Sequence, residues 1–363
     1  MTVEPISVES LVIDRDQVGE IEHLIKSELN TLFTWDYKRS RPALVKLYEK
    51  AKTSQWNATT DLSWDTQVDP IKQAEELSSS IERFNHLRQL DDSPVYKWKD
   101  KEWTQFSLEM QAWSLSQFLH GEQGALICTG QITTTVPWID AKYYAATQVI
   151  DEARHVEVFA RYLTEKLENM YPLNPQLGAL LDNIIEDSRW DITYLGMQIM
   201  VEGLALAAFG FMHMLTQEPL LKKLLRYVMS DEARHVAFGV LSLQEYYASL
   251  NSTEIRLRQE FAYEAAVRMK NRFFAQDVWE RLGVDPKKVA AFLLEHPDPG
   301  ENIFQNILFS KIVPNCRKLG ILDAGNGWLR EKFTELGIIQ FETWTDTTEE
   351  YSSLDMVDAD RNA

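Results

Sequence analysis

The chain repeats one short motif at an interval that implies a duplicated helical structure. The pentapeptide Asp-Glu-Ala-Arg-His occupies 151–155 and again 231–235, and a further glutamate, Glu122 or Glu202, lies 30 residues before each motif glutamate. The offset between the copies is therefore 80 residues at both places, and both upstream sites read Glu-x-x-Ala-Leu. A repeat of this kind indicates two copies of one helical hairpin, which pair as a four-helix bundle.

The spacing of apolar residues predicts an all-α fold around this repeat. From about Gln105 to Tyr247, apolar residues recur at the helical interval rather than in the alternation typical of strands. Four core helices are expected at about 105–130, 139–166, 180–215 and 219–248. Proline and polar residues at 131–138, 171–175 and 216–219 mark the connections between them.

Helical patterns also flank this core. They lie near 18–31 and 71–87 before the core and at about 253–281, 286–295, 301–318 and 326–335 after it. In contrast, 55–64 is predicted to be an irregular segment that its tryptophans hold against the core. No Gly/Ser-rich linker divides the chain. We therefore predict one all-helical domain over 1–345, with a bundle core at about 105–248 and flanking segments at 1–104 and 249–345. The acidic residues 346–363 are predicted to form a mobile tail.

Charge and cysteine content argue against several classes of function. The 37 basic and 55 acidic residues leave a formal net charge of −18, so we expect no broad basic surface for nucleic acid or an anionic membrane. The two cysteines, Cys128 and Cys316, are too few for a disulfide framework and too far apart for a Cys-x-x-Cys metal site. With no secretion signal and no apolar run of about 18 residues, the sequence predicts a soluble cytoplasmic protein.

The spacing within each repeat favours a two-metal site. Residues three apart on an α-helix lie about 60° apart around its axis, so the glutamate and histidine of each motif face the same interior space. Together with the upstream glutamates they form six candidate ligands, called here the ligand cluster: Glu122, Glu152, His155, Glu202, Glu232 and His235. Two divalent cations neutralise four glutamates, whereas four bare carboxylates in an apolar interior repel each other and are costly to desolvate. A carboxylate and imidazole set without thiolates suits iron or manganese better than structural zinc.

The remaining residues of the motif are predicted to support the ligands. Asp151 and Asp231 each lie four residues before the histidine of their own motif, where a carboxylate accepts an imidazole N–H and fixes its tautomer. Arg154 and Arg234 follow those aspartates by three residues, within reach of an ion pair. We expect each arginine to hold the aspartate of its own motif.

These motifs resemble those of the ferritin-like di-iron carboxylate superfamily, whose oxygenase branch carries Asp-Glu-x-Arg-His. The resemblance covers about 105–248 and implies a ferritin-like four-helix bundle with additional flanking helices. It further implies two iron ions, with Mn/Fe or Mn/Mn as alternatives, dioxygen as co-substrate, and a homodimer. Because no flavin or nicotinamide fingerprint is visible, the electrons are expected from a separate reductase or a small-molecule donor.

Four positions distinguish the chain from particular branches of that superfamily. Ribonucleotide reductase small subunits have an aspartate as first ligand and a radical tyrosine four residues after the first histidine, where this chain has Glu122 and Phe159. Multicomponent hydroxylases have a threonine one turn after the third carboxylate, at the position of Leu206. Arylamine N-oxygenases add a histidine at the position of Val228. The sequence therefore disfavours a radical generator and a seventh ligand.

Small and aromatic residues near the ligands indicate either close helix packing or an apolar pocket. The candidate pocket residues are Trp113, Phe118, Ala125, Thr129, Phe159, Ala205 and Phe209. Because no Arg or Lys falls on the ligand faces of the bundle helices, a small apolar or aromatic substrate is expected. The predicted function is a di-iron oxidase or oxygenase that hydroxylates, desaturates, N-oxygenates or cleaves such a substrate. The alternatives are an iron-storage or peroxide-scavenging protein and a radical generator similar to a reductase small subunit.

Overall fold

A computed structural model describes residues 23–80, 85–297 and 306–349. These ranges contain helices, turns and extended segments and no β-strand, which confirms the predicted all-α fold. The α-helices, numbered along the described chain, are α1 (Pro42–Thr53), α2 (Pro70–Ser80), α3 (Asn85–Gln89), α4 (Asp100–Thr135), α5 (Ile139–Tyr162), α6 (Pro175–Glu186), α7 (Trp190–Tyr194), α8 (Glu202–Leu215), α9 (Pro219–Tyr247), α10 (Ser252–Arg272), α11 (Gln276–Arg281), α12 (Pro286–Glu295), α13 (Ile312–Lys318) and α14 (Ala324–Glu335). Two π-helices, Leu163–Leu167 and Leu195–Val201, and a 3-10 helix, Ile339–Phe341, complete this set.

Four long helices form the bundle. They are α4, α5, α9 and a continuous helix over Trp190–Leu215 that consists of α7, the second π-helix and α8. The short connections at 136–138 and 216–218 reverse the chain, so α4 packs against α5 and α8 against α9 as two hairpins. At the second reversal, the Glu218 side chain accepts the backbone N–H groups of Leu220 and Leu221, and Pro219 occupies the first turn.

The continuous helix over Trp190–Leu215 is long and apolar enough to cross a membrane by length and composition. In the structure, 72% of its most apolar window is buried inside the protein. Glu202, in the middle of this helix, lies beside the carboxylate of Glu152 and the imidazole of His235 on neighbouring bundle helices. Burial in the core therefore accounts for its apolar character.

The predicted helix over 180–215 is wrong at its start. The structure has a separate helix, α6, that ends at Glu186, and the bundle helix begins only at Trp190. Between them the Asp187 side chain accepts the backbone N–H of Arg189 at 2.8 Å and also binds the guanidinium of that arginine. This local bond competes with helical bonding and ends α6.

The segment at the start of the described chain has no regular secondary structure. Residues 23–31, part of the helix predicted at 18–31, are not helical, and 18–22 lie outside the described residues. Leu32 donates its backbone N–H to the carbonyl of Thr134 at 2.9 Å, and the Thr34 hydroxyl donates to the carbonyl of Pro137 at 2.9 Å. The segment thus lies across the α4–α5 connection, and its hydrogen bonds are made there rather than within a helix.

The C-terminal helices differ from the prediction in three places. The predicted helix at 253–281 divides into α10 and α11, because Ala275 adopts a left-handed conformation with φ of 52°. The helix predicted at 301–318 is interrupted, because 306–307 are helical, 308–311 form a turn and α13 begins at Ile312, whereas 301–305 lie outside the described residues. The predicted tail begins too early, because Thr347 is fully buried and donates its backbone N–H to Asn315 at 3.1 Å. Residues 350–363 of that tail lie outside the described residues.

Gly239, four residues after His235 on α9, allows a close approach between two bundle helices. A Cβ at this position would lie 2.6 Å from the Cβ of Gln198. Because that atom is fixed to the opposing backbone, Gly239→Ala is expected to lower the free energy of unfolding by about 1–3 kcal/mol in chemical denaturation. The control is Gly130→Ala on α4, where an added Cβ meets nothing within 4 Å and helix propensity predicts a gain of up to about 1 kcal/mol. Equal changes in the two variants would contradict the close contact.

Candidate metal centre

The six residues of the ligand cluster come from four helices and meet inside the bundle. Glu122 lies on α4, Glu202 is the first residue of α8, and the two Glu-x-x-His pairs lie on α5 and α9. Every member is at most 5% exposed. Their potential ligand atoms form two overlapping groups that share Glu152, and within each group all atoms lie within 4.8 Å of one another. The structure therefore brings together all six residues that the repeat predicted.

Both histidines direct Nδ1 towards the carboxylates. Nδ1 of His155 lies 3.2 Å from Oε2 of Glu122 and 3.1 Å from Oε1 of Glu232. Nδ1 of His235 lies 3.0 Å from Oε1 of Glu152 and 3.4 Å from Oε1 of Glu232. The other oxygen of Glu152, Oε2, lies 3.3 Å from Nδ1 of His155. Glu152 thus spans the two imidazoles, and Glu232 approaches both of them.

Several atoms of the ligand cluster lack a hydrogen-bond partner among the described residues. They are Oε2 of Glu152, Oε2 of Glu202, both carboxylate oxygens of Glu232 and Nδ1 of His235. Buried polar atoms are nearly always satisfied, so these atoms indicate a group that binds them. Two donors about 2.1 Å from one metal ion and at right angles to each other are about 3.0 Å apart. The separations of 3.0 to 3.4 Å in the structure agree with that spacing, and the donor set fits metal ions.

The electrostatics of the cluster also favour a cation. Burial and the neighbouring carboxylate of Glu232 raise the pKa of Glu122 and of Glu202 well above the ordinary range. Burial alone would lower the pKa of His155, but the carboxylate of Glu122 raises it well above its usual value. Four carboxylates in this space therefore require added positive charge, from protons or from metal ions.

Each aspartate of the repeated motif binds the histidine of the other motif. Nε2 of His155 lies 3.2 Å from Oδ2 of Asp231, and Nε2 of His235 lies 3.3 Å from Oδ2 of Asp151. The prediction that each aspartate serves its own histidine is wrong, because α5 and α9 lie side by side and the acceptor across the interface is within hydrogen-bond reach. When Nε2 donates to the aspartate, Nδ1 keeps the lone pair that a metal needs.

Arg154 and Arg234 join the two aspartates into one buried ionic network. Arg154 binds Asp151 and, across the interface, lies 3.1 Å from Oδ2 of Asp231. Arg234 binds Asp231 and lies 3.9 Å from Asp151. The expected pairing within each motif is present, and a pairing between motifs is added. Burial alone would raise the pKa of Asp231, but Arg234 and His155 hold it well below its ordinary value.

A segment outside the bundle completes this network. After α1, Trp56 donates its indole N–H to Oδ2 of Asp231 at 2.7 Å, and Gln55 donates to Oδ1 of Asp151 at 3.0 Å. Arg154 lies over the ring of Trp56 at 4.6 Å and donates to Gln55 at 2.9 Å. The sequence predicted an irregular segment that its tryptophans hold against the core. It did not predict that this segment belongs to the site, because no spacing rule relates 55–56 to the motifs.

Gln148 and a π-helix at the site were also missed by sequence analysis. Gln148 is fully buried and donates its side-chain amide to Glu152 at 2.8 Å and to Glu202 at 3.0 Å. Its position could have identified it, because a residue four before Glu152 lies on the same face of the helix. The π-helix Leu195–Val201 ends immediately before Glu202. Such turns are frequent at functional sites, but no composition marks this one in the sequence.

A small pocket opens beside the ligand cluster. It is partly open to solvent and holds about 20 Å³, which is room for water. Three of the predicted pocket residues, Phe118, Ala125 and Ala205, line it together with three glutamates of the cluster. Arg272, from the end of α10, also lines it and was not anticipated from the bundle helices.

Three other predicted pocket residues lie outside the lining. Phe159 and Phe209 are fully buried, and their rings pack with that of Phe118 at centroid distances of 6.2 Å and 4.6 Å. They form apolar core behind the pocket, as the packing alternative expected. Thr129 is also fully buried and is absent from the lining among the described residues.

The placement of Trp113 in the pocket was wrong. Trp113 lies nine residues before Glu122, which corresponds to about 900° around the helix and hence to its opposite side. Its indole N–H donates to Asp277 at 3.0 Å, and its ring belongs to a separate apolar cluster around Trp279.

Comparison with known proteins yields structural neighbours of low similarity. No protein-family model and no curated protein matches the chain. The fold is similar to a solved R2-like ligand-binding oxidase with an aerobically reconstituted metal cofactor, at 15% identity and a TM-score of 0.49, over 78% of this chain and 94% of that one. A mutant of an R2-like ligand-binding oxidase with a Mn/Fe cofactor matches at 16% identity and a TM-score of 0.44, over 75% and 94%. Similarity at this level transfers no activity.

The ferritin-like resemblance inferred from the motifs agrees with the molecule itself. The described residues form a helical bundle, and its interior holds the buried cluster of carboxylates and imidazoles. The resemblance is thereby confirmed at the level of fold and of the converging residues.

Trp56→Phe tests the contribution of the flanking segment to the site. Trp56 and Trp64 are 7% and 8% exposed, and each lies under an arginine, Arg154 or Arg161. Their indole N–H groups have different acceptors. Trp64 donates to the backbone carbonyl of Ala58, whereas Trp56 donates to a buried carboxylate. Hydrogen bonds to charged groups contribute about 1.5–3 kcal/mol and neutral ones about 1 kcal/mol. In chemical denaturation, Trp56→Phe should therefore lose more stability than Trp64→Phe, and equal or reversed losses would contradict the proposed network.

Proposed function

We propose that this protein is a non-haem di-metal oxidoreductase, an oxidase or oxygenase that uses dioxygen to oxidise a small organic substrate. The observation that carries the proposal is the convergence of six buried ligand residues, several of whose atoms lack a partner among the described residues. Four glutamates and two imidazoles from four helices form the donor set expected of di-iron and di-manganese bundles. Their charge matches two divalent cations.

The distances support a division of the cluster into two metal sites. Glu122 and His155 would bind one ion, because their donor atoms lie 3.2 Å apart. Glu202 and His235 would bind the other, since both fall in the second group of converging atoms. Glu152 would bridge the ions, and the approach of Glu232 to both imidazoles favours a second bridge.

Two reduced iron or manganese ions at this site would supply electrons to dioxygen. The chain's own residues orient and shield the centre. Asp151 and Asp231 fix the two imidazoles through Nε2. Gln148 holds one oxygen each of Glu152 and Glu202, which leaves their second oxygens free to bind. The near-complete burial of all these groups limits the access of bulk water to the side that faces the pocket.

The mixed nitrogen and oxygen donors support iron and also accommodate Mn/Fe or Mn/Mn. The electron donor, whether a reductase or a small molecule, and the homodimer remain predictions from the resemblance. The cytoplasmic location likewise rests on sequence alone.

Glu202→Gln should change metal content and stability in opposite directions. The variant is expected to bind fewer than the roughly two ions per chain of the wild type, because it lacks one anionic ligand. In a chelator it should melt at a higher temperature, because the wild-type Glu202 must either keep a charge beside the other carboxylates or take up a proton at neutral pH, and either costs stability. The control is Glu109→Gln on α4, a buried glutamate that binds Asn169 and Tyr171 outside the cluster. This control should keep its metal. Full metal content in Glu202→Gln, measured by elemental analysis, would count against the ligand assignment.

Oxygen uptake separates an oxidase from an iron-storage protein. When the chain is loaded anaerobically with Fe(II) and mixed with dioxygen, we expect oxidation of about two irons per chain and then no further uptake until a reductant is added. A storage protein continues to oxidise added iron far beyond that ratio. An oxygen electrode and iron absorbance measure the two outcomes, with Glu202→Gln as the impaired variant. Continued accumulation of oxidised iron would reject the oxidase.

A further inference from the structure

Arg272 brings a buried positive charge to the pocket beside the ligand cluster. It is the last residue of α10, 7% exposed, and it lines the pocket with Glu122, Glu202 and Glu232. Burial lowers the pKa of its guanidinium to about 10, so the group remains a cation at neutral pH. Sequence analysis found no basic residue on the bundle faces because this arginine comes from a helix outside the bundle.

The guanidinium of Arg272 has no counter-ion in the described ranges. Among the residues that the structure describes, its Nε has no hydrogen-bond partner and no carboxylate forms an ion pair with it. The guanidinium lies over the ring of Phe273, with the ring centroid 5.3 Å away. A buried cation without a partner is costly to desolvate. Its retention therefore calls for an anion that the described residues do not provide at this point.

The other buried arginines of the described chain show that pairing is the rule in this protein. Arg258 makes a two-pronged contact with Asp191 at 2.9 Å and 3.0 Å. Arg154 and Arg234 bind the aspartates of the repeated motifs. Arg272 is the exception, and it is also the one that reaches the pocket.

The charges around the centre balance without Arg272. Two divalent ions would neutralise the four glutamates of the ligand cluster, and Arg154 and Arg234 neutralise Asp151 and Asp231. With neutral imidazoles, the guanidinium of Arg272 is the one charge left over beside the pocket among the residues that the structure describes. A single negative charge on a bound molecule would match it, whereas a phosphate group, with a charge of about −1.5 to −2, would add excess negative charge next to the glutamates.

We infer that Arg272 binds the carboxylate of the organic substrate and places the attached apolar body beside the ligand cluster. This inference rests on the proposed function, and it revises the expectation of a purely apolar substrate. The planar guanidinium fork matches a carboxylate in two parallel hydrogen bonds. Phe118, Ala125 and Ala205 then contact the ring or chain that the carboxylate carries. To admit that body, the pocket must widen from its present volume. The space beside Gly121 allows this, because nothing lies within 4 Å of where a Cβ of Gly121 would be.

Binding of matched acids and amides tests this assignment. The probes are benzoate against benzamide and octanoate against octanamide, titrated calorimetrically into protein loaded with Mn(II) under nitrogen. The wild type should bind each acid about tenfold or more tightly than its amide, as expected for a charge-assisted pair. Arg272→Met should lose that preference. Arg272→Lys, which keeps the charge without the fork, should retain part of it.

Arg268→Met is the matched control. Arg268 lies on the same helix, is partly exposed and binds Glu264 at 2.9 Å, so its loss should leave the acid preference unchanged. Equal binding of acid and amide by the wild type overturns the inference, even if Arg272→Met fails to fold. A preference that survives in Arg272→Met also overturns it, because the metal ions would then hold the carboxylate.

Metal content measured on the same samples separates a failure of the role of Arg272 from a failure of the proposed di-metal function. A wild type that binds about two Mn(II) ions per chain without preferring the acids contradicts only the role of Arg272. A wild type that binds no metal contradicts the proposed function, and the acid-to-amide ratio still reports on Arg272.

Discussion

Four glutamates buried in one bundle interior impose the constraint on which the rest of the site depends. Each comes from a different helix, so their carboxylates meet only when all four helices pack. Like charges in that space oppose packing unless cations neutralise them. Metal binding would therefore be coupled to the closure of the bundle. The amide of Gln148 binds one oxygen of Glu152 and one of Glu202, and His155 and His235 direct Nδ1 towards the carboxylate of Glu152.

A second layer of paired charges keeps this arrangement fixed. Because each aspartate binds the histidine across the helix interface, α5 and α9 are joined by their own motifs. Trp56 extends the same network to the N-terminal segment, which helps to explain why a bundle of this kind carries residues outside its core. Arg272 differs from the arginines of this layer because it faces the pocket without a counter-ion among the described residues.

The sequence predicted the features that helix periodicity and duplication determine. An offset of 80 residues identified all six members of the ligand cluster, because residues three apart share a helix face and the repeat marks the partner helices. The sequence could not predict contacts between distant segments. The crossed aspartates, Gln55 and Trp56, and Arg272 depend on how helices pack, and no spacing relates them. The wrong placement of Trp113 was avoidable. Trp113 lies nine residues before Glu122, and this spacing puts the two residues on opposite sides of α4.

The most direct test of the central claim is anomalous X-ray diffraction from crystals of the protein loaded with iron or manganese. Two anomalous peaks are expected inside the bundle, each about 2.0–2.3 Å from Nδ1 of His155 or His235 and about 3.5–4 Å apart. Peaks confined to surface carboxylates, or a ligand cluster without metal density in crystals grown with excess metal, would contradict the account.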